Sequence, residues 1–440
     1  MKKSSGDRWG GILFAISLAF LSMLYGIVSS WWGWFPAIQI GEAHRTMLEL
    51  RTNWRNDFGL QPTRHLVEPI APRPEGEDGF TLHRDGDAQP GYILITGLNP
   101  DPDGTFHMVT LYDGTGQQVH QWPIRYDQID PEGKKPQNVM LHGMEVFEDG
   151  SIVATFDSGS AITRLDPCGE QIWTRIGNFH HSIARDGQGA IVTWQDERVV
   201  WLDETTGEEM RGLDLHTDII PAGDGAQRGY FDLRTVTQNK LETPLRYLED
   251  PFHPNDAEPL TPDLADVFPM FEVGDVMISL RELNMIAVVD PDTGLMRWWQ
   301  HGPWMKQHDP DFEPDGTISV YDNATGTGAS KIWSVDPSTR ELRTLFSGSE
   351  DVPFYSWQRG KHQLLENGNI LLVEPEHGRA LEVAPDGQPV WERHVIWDDT
   401  YNTVITEARH VPADFFENGV PSCEAVTDTA SLVNDLPRLE

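Results

Sequence analysis

Histidines that precede a glycine by eight residues, with a short apolar segment after the glycine, recur four times in this chain. The pairs are His83 and Gly91, His142 and Gly150, His181 and Gly189, and His308 and Gly316. A fifth segment, which begins at His362, has the same build with a spacer two residues shorter. Imidazole can act as a nucleophile, a general acid or base, or a metal ligand. An architecture that brings equivalent repeat positions together would give these histidines one shared site.

Metal binding and anion handling are the two chemistries that suit clustered imidazoles. Carboxylates stand beside the repeated histidines only at Asp309 and Asp311, and neither a His-x-His nor a His-Glu-x-x-His motif occurs. Arg281 and Lys361 supply positive charge near the histidine segments. The sequence therefore favours an anion-handling site and predicts neither a metal ion nor another cofactor.

Tight-turn signals recur between predicted strands at a regular spacing. Turns rich in Asp, Gly and Pro occur at 113–116, 166–169, 203–207, 290–294, 336–339 and 385–387. Such turns join antiparallel strands, and six modules of this size are typical of propeller blades. The sequence therefore predicts an all-β fold, a six-bladed β-propeller. A β-sandwich would explain the strands but not their sixfold repetition.

The predicted blades lie near 77–125, 138–177, 179–216, 250–301, 304–347 and 354–397, with an inserted loop at 217–250 and a closing strand and tail at 398–440. In a propeller the first strand of each blade lines the central channel. The repeated histidines are thus predicted to meet at one mouth of that channel, and His253 joins them from the fourth module. His83 precedes an ordinary loop and is predicted to be structural.

The N-terminal segment is long and apolar enough to cross a bilayer. Between Arg8 and Glu42 no charged residue occurs. Three tryptophans at 31, 32 and 34 match an aromatic belt, and basic residues flank the other end, which places the N-terminus in the cytoplasm. A transmembrane anchor is favoured over a cleaved signal peptide and a buried core helix. The predicted domains are an anchor at 1–41, a stalk at 42–76 and the propeller at 77–440.

The composition is strongly acidic, with 69 Asp and Glu against 33 Lys and Arg and a formal net charge of -36. Such a surface repels nucleic acid and anionic lipid headgroups, so neither is expected as a partner. An anionic substrate would need a local cationic site. The two cysteines, Cys168 and Cys423, are compatible with a disulfide or with free thiols.

Several segments, taken in order, carry a family resemblance. They are Leu141-His-Gly-Met-Glu-Val, Asp166-Pro-Cys-Gly-Glu-Gln-Ile-Trp, Asp250-Pro-Phe-His-Pro-Asn-Asp, Gln307-His-Asp-Pro, Tyr321-Asp-Asn and Lys361-His-Gln-Leu-Leu-Glu-Asn-Gly. With these motifs the chain resembles the bacterial arylsulfotransferases, which are periplasmic or membrane-anchored propellers. The resemblance implies transfer of a sulfuryl group from an aryl sulfate ester to a phenolic acceptor, without a nucleotide donor, through a sulfohistidine. It also implies a single-pass protein of the bacterial inner membrane with its catalytic domain in the periplasm.

The resemblance implies roles for individual residues. His362 matches the nucleophile, His308 and His253 match the sulfate-holding histidines, and the corresponding channel arginine is Arg281. Further substrate-binding positions are His142, His181, Asn255, Asn323 and Lys361.

Two other functions stay open at the level of sequence. A non-catalytic, membrane-anchored propeller that binds an anionic ligand or a partner protein is one. It is favoured by the segment after Asp322-Asn323, where the family has an arginine and this chain offers only Lys331. A quinone-dependent dehydrogenase shares the hairpin motif but normally needs eight blades. The donor, the acceptor and the oligomeric state are not determined by the sequence.

Overall fold

The computed structural model describes residues 5–32, 35, 40, 47, 63–73, 79–99, 106–235, 247–248 and 250–423. The chain divides into two compact units, Met1–Arg64 and His65–Glu440. Most of the predicted stalk at 42–76, part of the inserted loop at 217–250 and the tail beyond 423 lie outside the described residues.

The first unit contains one long helix, α1 (Ser5–Trp32). Its segment Trp9–Trp32 is 24 residues long and strongly apolar, and the most apolar part of it is not buried. By length and composition this helix can cross a membrane, which agrees with the predicted apolar helix. A membrane anchor and a signal sequence share these properties.

The second unit is built almost entirely from short antiparallel strands. In chain order they are β1 (Leu66–Val67), β2 (Phe80–Leu82), β3 (Tyr92–Leu98), β4 (His107–Asp113), β5 (Gln118–Ile124), β6 (Met140–Val146), β7 (Ile152–Asp157), β8 (Ala161–Leu165), β9 (Gln171–Ile176), β10 (Phe179–Arg185), β11 (Ala190–Gln195), β12 (Arg198–Asp203), β13 (Glu209–Asp214), β14 (Pro254–Pro259), β15 (Val276–Leu280), β16 (Met285–Val289), β17 (Met296–His301), β18 (His308–Phe312), β19 (Ile318–Asp322), β20 (Lys331–Val335), β21 (Leu342–Ser347), β22 (His362–Leu364), β23 (Ile370–Glu374), β24 (Arg379–Val383), β25 (Pro389–His394), β26 (Asn402–Thr403) and β27 (Ala408–Val411). Short helical turns connect them: α2 (Tyr126–Ile129), α3 (Ala222–Gly225), α4 (Arg228–Phe231), a π-helical turn (Leu215–Ile219) and 3-10 turns at Thr63–His65, Pro136–Asn138, Asp232–Arg234, Ala265–Val267, Arg281–Leu283 and Pro375–His377.

These strands form six blades, which confirms the predicted six-bladed propeller. From the inner strand outward, the sheets run β27-β3-β4-β5, β6-β7-β8-β9, β10-β11-β12-β13, β14-β15-β16-β17, β18-β19-β20-β21 and β22-β23-β24-β25-β2. We number the blades 1 to 6 in that order. A separate two-stranded pair joins β1 to β26.

Blade 1 differs from its predicted composition. Its inner strand is β27 from the C-terminal part of the chain, while β2, predicted within the first module, is the outermost strand of blade 6. His83 comes directly after β2, and its Nε2 lies 3.0 Å from Glu392 Oε1 on the edge of blade 6. This histidine therefore lies at the outer rim, away from the channel.

The hairpins owe their shape to aspartate side chains that accept hydrogen bonds within the turn. Asp336 Oδ1 accepts from the Ser338 hydroxyl at 2.6 Å and from the backbone N–H groups of Thr339 and Ser338, and these donors hold the pKa of Asp336 down at about 2. In the equivalent turn of blade 2, Gly169 has a φ of +81°. A Cβ there would collide with the carbonyl oxygen of Pro123, so only glycine fits.

Buried tryptophans join neighbouring blades. Trp122 in blade 1 donates its indole N–H to the carbonyl oxygen of Gly150 in blade 2 at 2.8 Å. Trp194 in blade 3 donates to the carbonyl oxygen of Asp256 in blade 4, also at 2.8 Å. Both indoles are fully buried, so each combines a large apolar contact with a hydrogen bond that fixes the blade-to-blade register.

Replacing Trp194 should separate these two contributions. Trp194→Phe keeps most of the ring packing but removes the donor to Asp256, and we expect it to lower the free energy of unfolding by about 1–3 kcal/mol. Trp194→Ala also leaves a cavity and should cost about 3–5 kcal/mol. Denaturant unfolding measures both values. The exposed Trp357 provides the control, since Trp357→Phe should change stability by less than about 0.5 kcal/mol. Equal losses at the two sites would contradict the blade-joining role.

Candidate active site

The inner strands of four blades are irregular beside a histidine. The register of pairing shifts between Leu141 and Met144, between His180 and Ile183, between Pro254 and Asp256, and between His308 and Pro310. A β-bulge at such a point inserts residues into one strand and re-aims the side chains next to it. The bulges thus turn histidines of β6, β10 and β18, and the one before β14, toward a common region.

The strand that carries His362 has no such bulge. Met144, Ile183 and Pro310 each pair with the residue four positions after the repeat glycine of their blade. His362 pairs in the same way with Leu372, four positions after Gly368. In register His362 therefore corresponds to Pro310 rather than to His308. The shorter spacer of the His362 segment therefore reflects a histidine that lies two positions later along its strand than His308 does.

Five histidines lie together, and we call them the histidine cluster: His142, His180, His181, His253 and His308. The ring of His181 is central, with centroid distances of 4.3 Å to His142, 4.8 Å to His180, 5.2 Å to His253 and 6.4 Å to His308. His181 and His253 have φ values of +63° and +46°. Such conformations are costly for non-glycine residues and concentrate at functional sites.

His253 is held by a carboxylate. Its Nδ1 lies 2.5 Å from Asp250 Oδ2, and because a carboxylate only accepts, Nδ1 carries the proton. In the neutral ring the lone pair is then on Nε2. His308 is held in the same tautomer, because its Nδ1 lies 2.7 Å from Asn323 Oδ1 and 3.1 Å from the carbonyl oxygen of Lys306.

The other three histidines form a chain of hydrogen bonds. His180 Nε2 donates to the carbonyl oxygen of Asp196 at 2.8 Å, so its Nδ1 accepts from His181 Nδ1 at 2.6 Å. This leaves the lone pair of His181 on Nε2. The backbone N–H of His181 in turn donates to His142 Nδ1 at 3.1 Å, so neutral His142 carries its proton on Nε2. The cluster therefore offers lone pairs on three Nε2 atoms and an N–H on a fourth.

Burial keeps most of the cluster uncharged. It lowers the pKa of His142 to about 3; Asp157 partly offsets this effect, and Arg359 adds to it. Burial, and after it the neighbouring histidines, lowers the pKa of His181 well below its ordinary value. The pKa of His308 is lowered mainly by burial, and the charge of Arg281 adds to this effect. Neutral imidazoles are the form required of a nucleophile.

A cavity of about 450 Å³ opens onto the cluster and is lined by His180, His181 and His253. Four carboxylates also line it: Asp157, Asp196, Glu197 and Asp250. Each of these carboxylates has a partner. Asp157 contacts Arg359 at 3.3 Å and Asp196 contacts Asn178 at 3.0 Å. Glu197 contacts His216 at 2.6 Å and Asp250 contacts His253 at 2.5 Å.

Three cations surround the cluster. Arg281 pairs with Glu282 at 3.0 Å, and Arg359 pairs with Glu376 at 2.8 Å as well as with Asp157. Lys361 Nζ lies 2.6 Å from Asp309 Oδ1 and 3.2 Å from Asp256 Oδ2. All three cations add to the effect of burial in lowering the pKa of a cluster histidine, Arg281 at His308, and Arg359 and Lys361 at His142. Lys361 is in addition shared between two buried carboxylates.

Asn255 and Asn323, which the sequence predicts to bind substrate, form hydrogen bonds with other residues of the protein. Asn323 accepts from His308 and donates its amide to the carbonyl oxygens of Ser356 and Arg359. Asn255 Nδ2 donates to the carbonyl oxygen of Gln307 at 2.8 Å, and its Oδ1 is buried with no partner among the described residues. Asn323 thus positions His308, and in the described structure Asn255 braces the neighbouring strand.

The structure does not bring His362 into the histidine cluster. The side chain of His362 is fully buried, its Nδ1 is 2.9 Å from Asp309 Oδ2, and its Nε2 is 2.8 Å from Ser319 Oγ. Of the nine predicted site residues, His142, His181, His253 and His308 meet directly, with Arg281 and Asn323 beside them. The role of His362 as nucleophile stays a prediction.

The site predicted from the sequence left out three of its members, namely His180, Asp250 and Arg359. Asp250 stands three residues before His253, within the same Asp-Pro-Phe-His motif, and this spacing is the signal that could have identified it. His180 is adjacent to His181. Arg359 pairs with Asp157 across a sequence separation of 202 residues, and no local sequence pattern predicts such a contact.

Comparisons with known proteins give a family match and distant structural similarities. Residues 143–396 match the family described as Arylsulfotransferase (ASST). Among solved structures, a protein of unknown function from Bacteroides caccae is similar with 10% identity and a TM-score of 0.46, covering 73% of this chain and 98% of that one. TolB from Acinetobacter baumannii shares 13% identity with a TM-score of 0.44, covering 73% and 67%. The periplasmic gluconolactonase PpgL from Pseudomonas aeruginosa shares 14% with a TM-score of 0.40, covering 79% and 98%. No curated protein matches.

The burial of the cluster predicts a loss of stability in acid. Unfolded His142 binds a proton below its ordinary pKa of 6.5, whereas the folded ring stays neutral down to about pH 3. The unfolded state therefore binds more protons in this window, and stability falls as the pH is lowered through it. The contribution of this one group approaches about 1.4 kcal/mol per pH unit. His142→Gln, which cannot titrate, should lose less stability than the wild type between pH 6.5 and about 4.5 in urea unfolding. Parallel curves for the two proteins would contradict the assignment.

Proposed function

The chain belongs to the arylsulfotransferase family, and we propose that it moves a sulfuryl group from an aryl sulfate to a phenolic acceptor through a sulfohistidine at His253. The observation that carries this proposal is the contact of His253 Nδ1 with Asp250 Oδ2 at 2.5 Å, at the edge of a cavity that the histidine cluster lines. Membership of the family supports sulfotransferase activity in general. The choice of nucleophile and the chemical steps are our proposal.

His253 combines two properties of a nucleophile, an accessible ring and a carboxylate partner. Its ring is partly exposed, with 23% of the side chain accessible, so a substrate can reach Nε2. The Asp250 carboxylate fixes the tautomer and stabilises the positive charge that develops when Nε2 forms a bond, as the aspartate does for histidine in a catalytic triad. His308 has a similar tautomer, but its partner is the uncharged amide of Asn323 and its side chain is buried.

The reaction divides into two transfers at sulfur. In the first, Nε2 of His253 attacks the sulfur of the aryl sulfate, the bond from sulfur to the aryl oxygen breaks, and the phenolate leaves. The product is an N-sulfo imidazolium whose Nδ1–H remains hydrogen-bonded to Asp250. In the second, the acceptor hydroxyl oxygen attacks sulfur and loses its proton to solvent, and the N–S bond breaks. That proton balances the phenolate released in the first transfer. His253 returns to its neutral form, as in ping-pong catalysis.

Charge on the sulfuryl oxygens needs donors during both transfers. The Nε2–H of His142 and the guanidinium groups of Arg281 and Arg359 are the groups that we assign to this role. His181 and His308 fill the space around the transferred group, and their rings can accept protons as negative charge approaches. Lys361 is not assigned to this role, because it is ion-paired with two carboxylates, Asp256 and Asp309.

His362 is less suited to attack a sulfate ester. Both ring nitrogens already have partners, the side chain is fully buried, and Asp309 and Asp311 lie 2.9 and 3.6 Å from Nδ1. An anion would be repelled by these carboxylates. For this reason we assign the sulfohistidine to His253 and not to the residue that motif order indicates.

The cellular location that we propose is inferred from helix α1. Its apolar segment can span a bilayer, and Lys2, Lys3 and Arg8 lie before its most hydrophobic part. By the positive-inside rule we propose a single-pass inner-membrane protein with the propeller in the periplasm.

Isotope labelling tests the nucleophile. Full-length protein in detergent, exposed briefly to a ³⁵S-labelled aryl sulfate without acceptor, should retain label on the proteolytic peptide that contains His253. His253→Ala should abolish both this label and transfer to phenol. Asp250→Asn should lower kcat by roughly a hundredfold or more with little change in KM, because the tautomer and the imidazolium are no longer stabilised. His83→Ala, at the outer rim, should behave as the wild type.

Three outcomes would count against the proposal. Label on the peptide that contains His362 would restore the assignment from motif order. Full activity of His253→Ala would remove His253 from the mechanism. Saturable binding of the aryl sulfate without protein-bound label or turnover would select the non-catalytic propeller.

Membrane attachment is tested by fractionation. The full-length chain should stay with the membrane pellet after alkaline carbonate washing, whereas a variant that begins at residue 42 should be soluble, because the removed segment holds the apolar helix. The mass of the membrane-bound protein should equal that of the uncleaved chain. A shorter mature protein in the soluble periplasmic fraction would show that the helix is a cleaved signal.

A further inference from the structure

A second polar site lies on the channel, on the other side of Lys361 from the histidine cluster, and we call it the acidic pocket. Its cavity measures about 240 Å³. Carboxylates from three different inner strands or their neighbours line it, together with one imidazole from a fourth: Glu258, Asp309, Asp311, Glu313, Glu407 and His362. Sulfuryl transfer at His253 uses none of these groups.

We propose that the acidic pocket binds a divalent metal ion through Asp309, Asp311 and His362. One potential ligand atom from each residue lies within 4.8 Å of the other two. His362 Nδ1 is 2.9 Å from Asp309 Oδ2 and 3.6 Å from Asp311 Oδ2. Ligands of one metal ion at about 2.0–2.2 Å are separated by distances of this order.

Glu407 gives independent support. Only 4% of this residue is exposed, and its carboxylate lines the pocket. Among the described residues no hydrogen bond or ion pair satisfies that carboxylate, although the charges of Lys361 and Arg409 act on it. An ionised carboxylate buried without a direct partner is costly, and a cation in the pocket would remove the cost.

Charge balance across the pocket points the same way. Five carboxylates face two cations, and both cations are shared with groups elsewhere: Arg409 binds Glu145, and Lys361 also contacts Asp256. A divalent cation in the pocket would supply the missing positive charge.

The backbone and the surrounding hydrogen bonds prepare the ligands. Asp309 adopts a φ of +49°, in the left-handed region that aspartate tolerates better than most residues, and its carboxylate contacts His362. The backbone N–H of His362 donates to Asp309 Oδ2 at 2.6 Å, and Ser319 Oγ holds the far nitrogen of the ring. Partners of this kind orient metal-ligating histidines.

The donor set indicates which ions fit. Carboxylate oxygens suit Mg²⁺, Ca²⁺ and Mn²⁺, while an imidazole nitrogen suits first-row transition metals and Zn²⁺. A first-row divalent ion such as Mn²⁺ accepts both. Bound there, it would connect β18 of blade 5 with β22 of blade 6, near the strand that closes blade 1.

Metal binding is tested on the full-length protein after treatment with a chelator and dialysis. Titration with Mn²⁺ alone, followed by electron paramagnetic resonance and calorimetry, should show one saturable site per chain, and saturation should raise the midpoint of thermal unfolding. Asp311→Asn and Glu407→Gln should each weaken Mn²⁺ binding at least tenfold. Asp266→Asn, which changes an exposed carboxyl outside the pocket, is the matched control and should bind as the wild type.

Folding of the variants is checked separately from binding. Thermal unfolding in the presence of chelator establishes whether each pocket variant folds. If one of the two does not fold, Mn²⁺ binding by the other variant tests the proposal. The proposal is overturned if the wild type takes up no Mn²⁺ saturably, or if both pocket variants bind Mn²⁺ as tightly as the wild type. Because sulfuryl transfer is measured separately at His253, neither result depends on the proposed activity.

Discussion

The pairing of β27 with β3 closes the ring, and the whole arrangement on the channel axis depends on it. Ala408–Val411 runs antiparallel to the strand that begins at Tyr92, so the two ends of the propeller sequence meet in one blade. Thr96 Oγ1 accepts the backbone N–H groups of Thr406 and Glu407, and Thr406 Oγ1 donates to the carbonyl oxygen of Leu141 in blade 2. Closure therefore fixes the inner strands of adjacent blades together and brings Glu407 to the axis.

Closing six blades forces polar inner-strand side chains into a narrow space, where each must find a partner or lose its charge. Four members of the histidine cluster meet this constraint by staying neutral, because burial lowers the pKa of His142, His180, His181 and His308. The acidic pocket has an excess of carboxylates. Lys361 lies between them: burial alone would lower its pKa, but Asp309 and Asp256 raise it well above the ordinary value. This buried cation separates a site suited to group transfer from one suited to a cation.

The sequence predicted the fold well because the signals are local. An aspartate that accepts backbone N–H groups recurs in the turns, and in most of them a glycine with positive φ and a tryptophan follow within about ten residues. The sequence also separated the four repeated histidines into two groups. His142, His181 and His308 do meet, and His83, predicted to be structural, lies at the outer rim. The closing strand predicted within 398–440 is β27, the inner strand of blade 1, but the predicted first module wrongly included β2, which is the outermost strand of blade 6. The pairing of β2 with β25 is long-range, and such pairing leaves no mark on the local pattern.

The sequence by itself determined the number of blades, the apolar helix and the family, all of which rest on short-range patterns and motif order. Only the tertiary structure decided which histidines share a site. Side chains on a strand alternate between faces, so a bulge of one or two residues decides where an inner-strand side chain points. His308 has the bulge and joins the histidine cluster. His362, two residues shorter in its spacer, keeps the regular register and faces Asp309 and Asp311 instead.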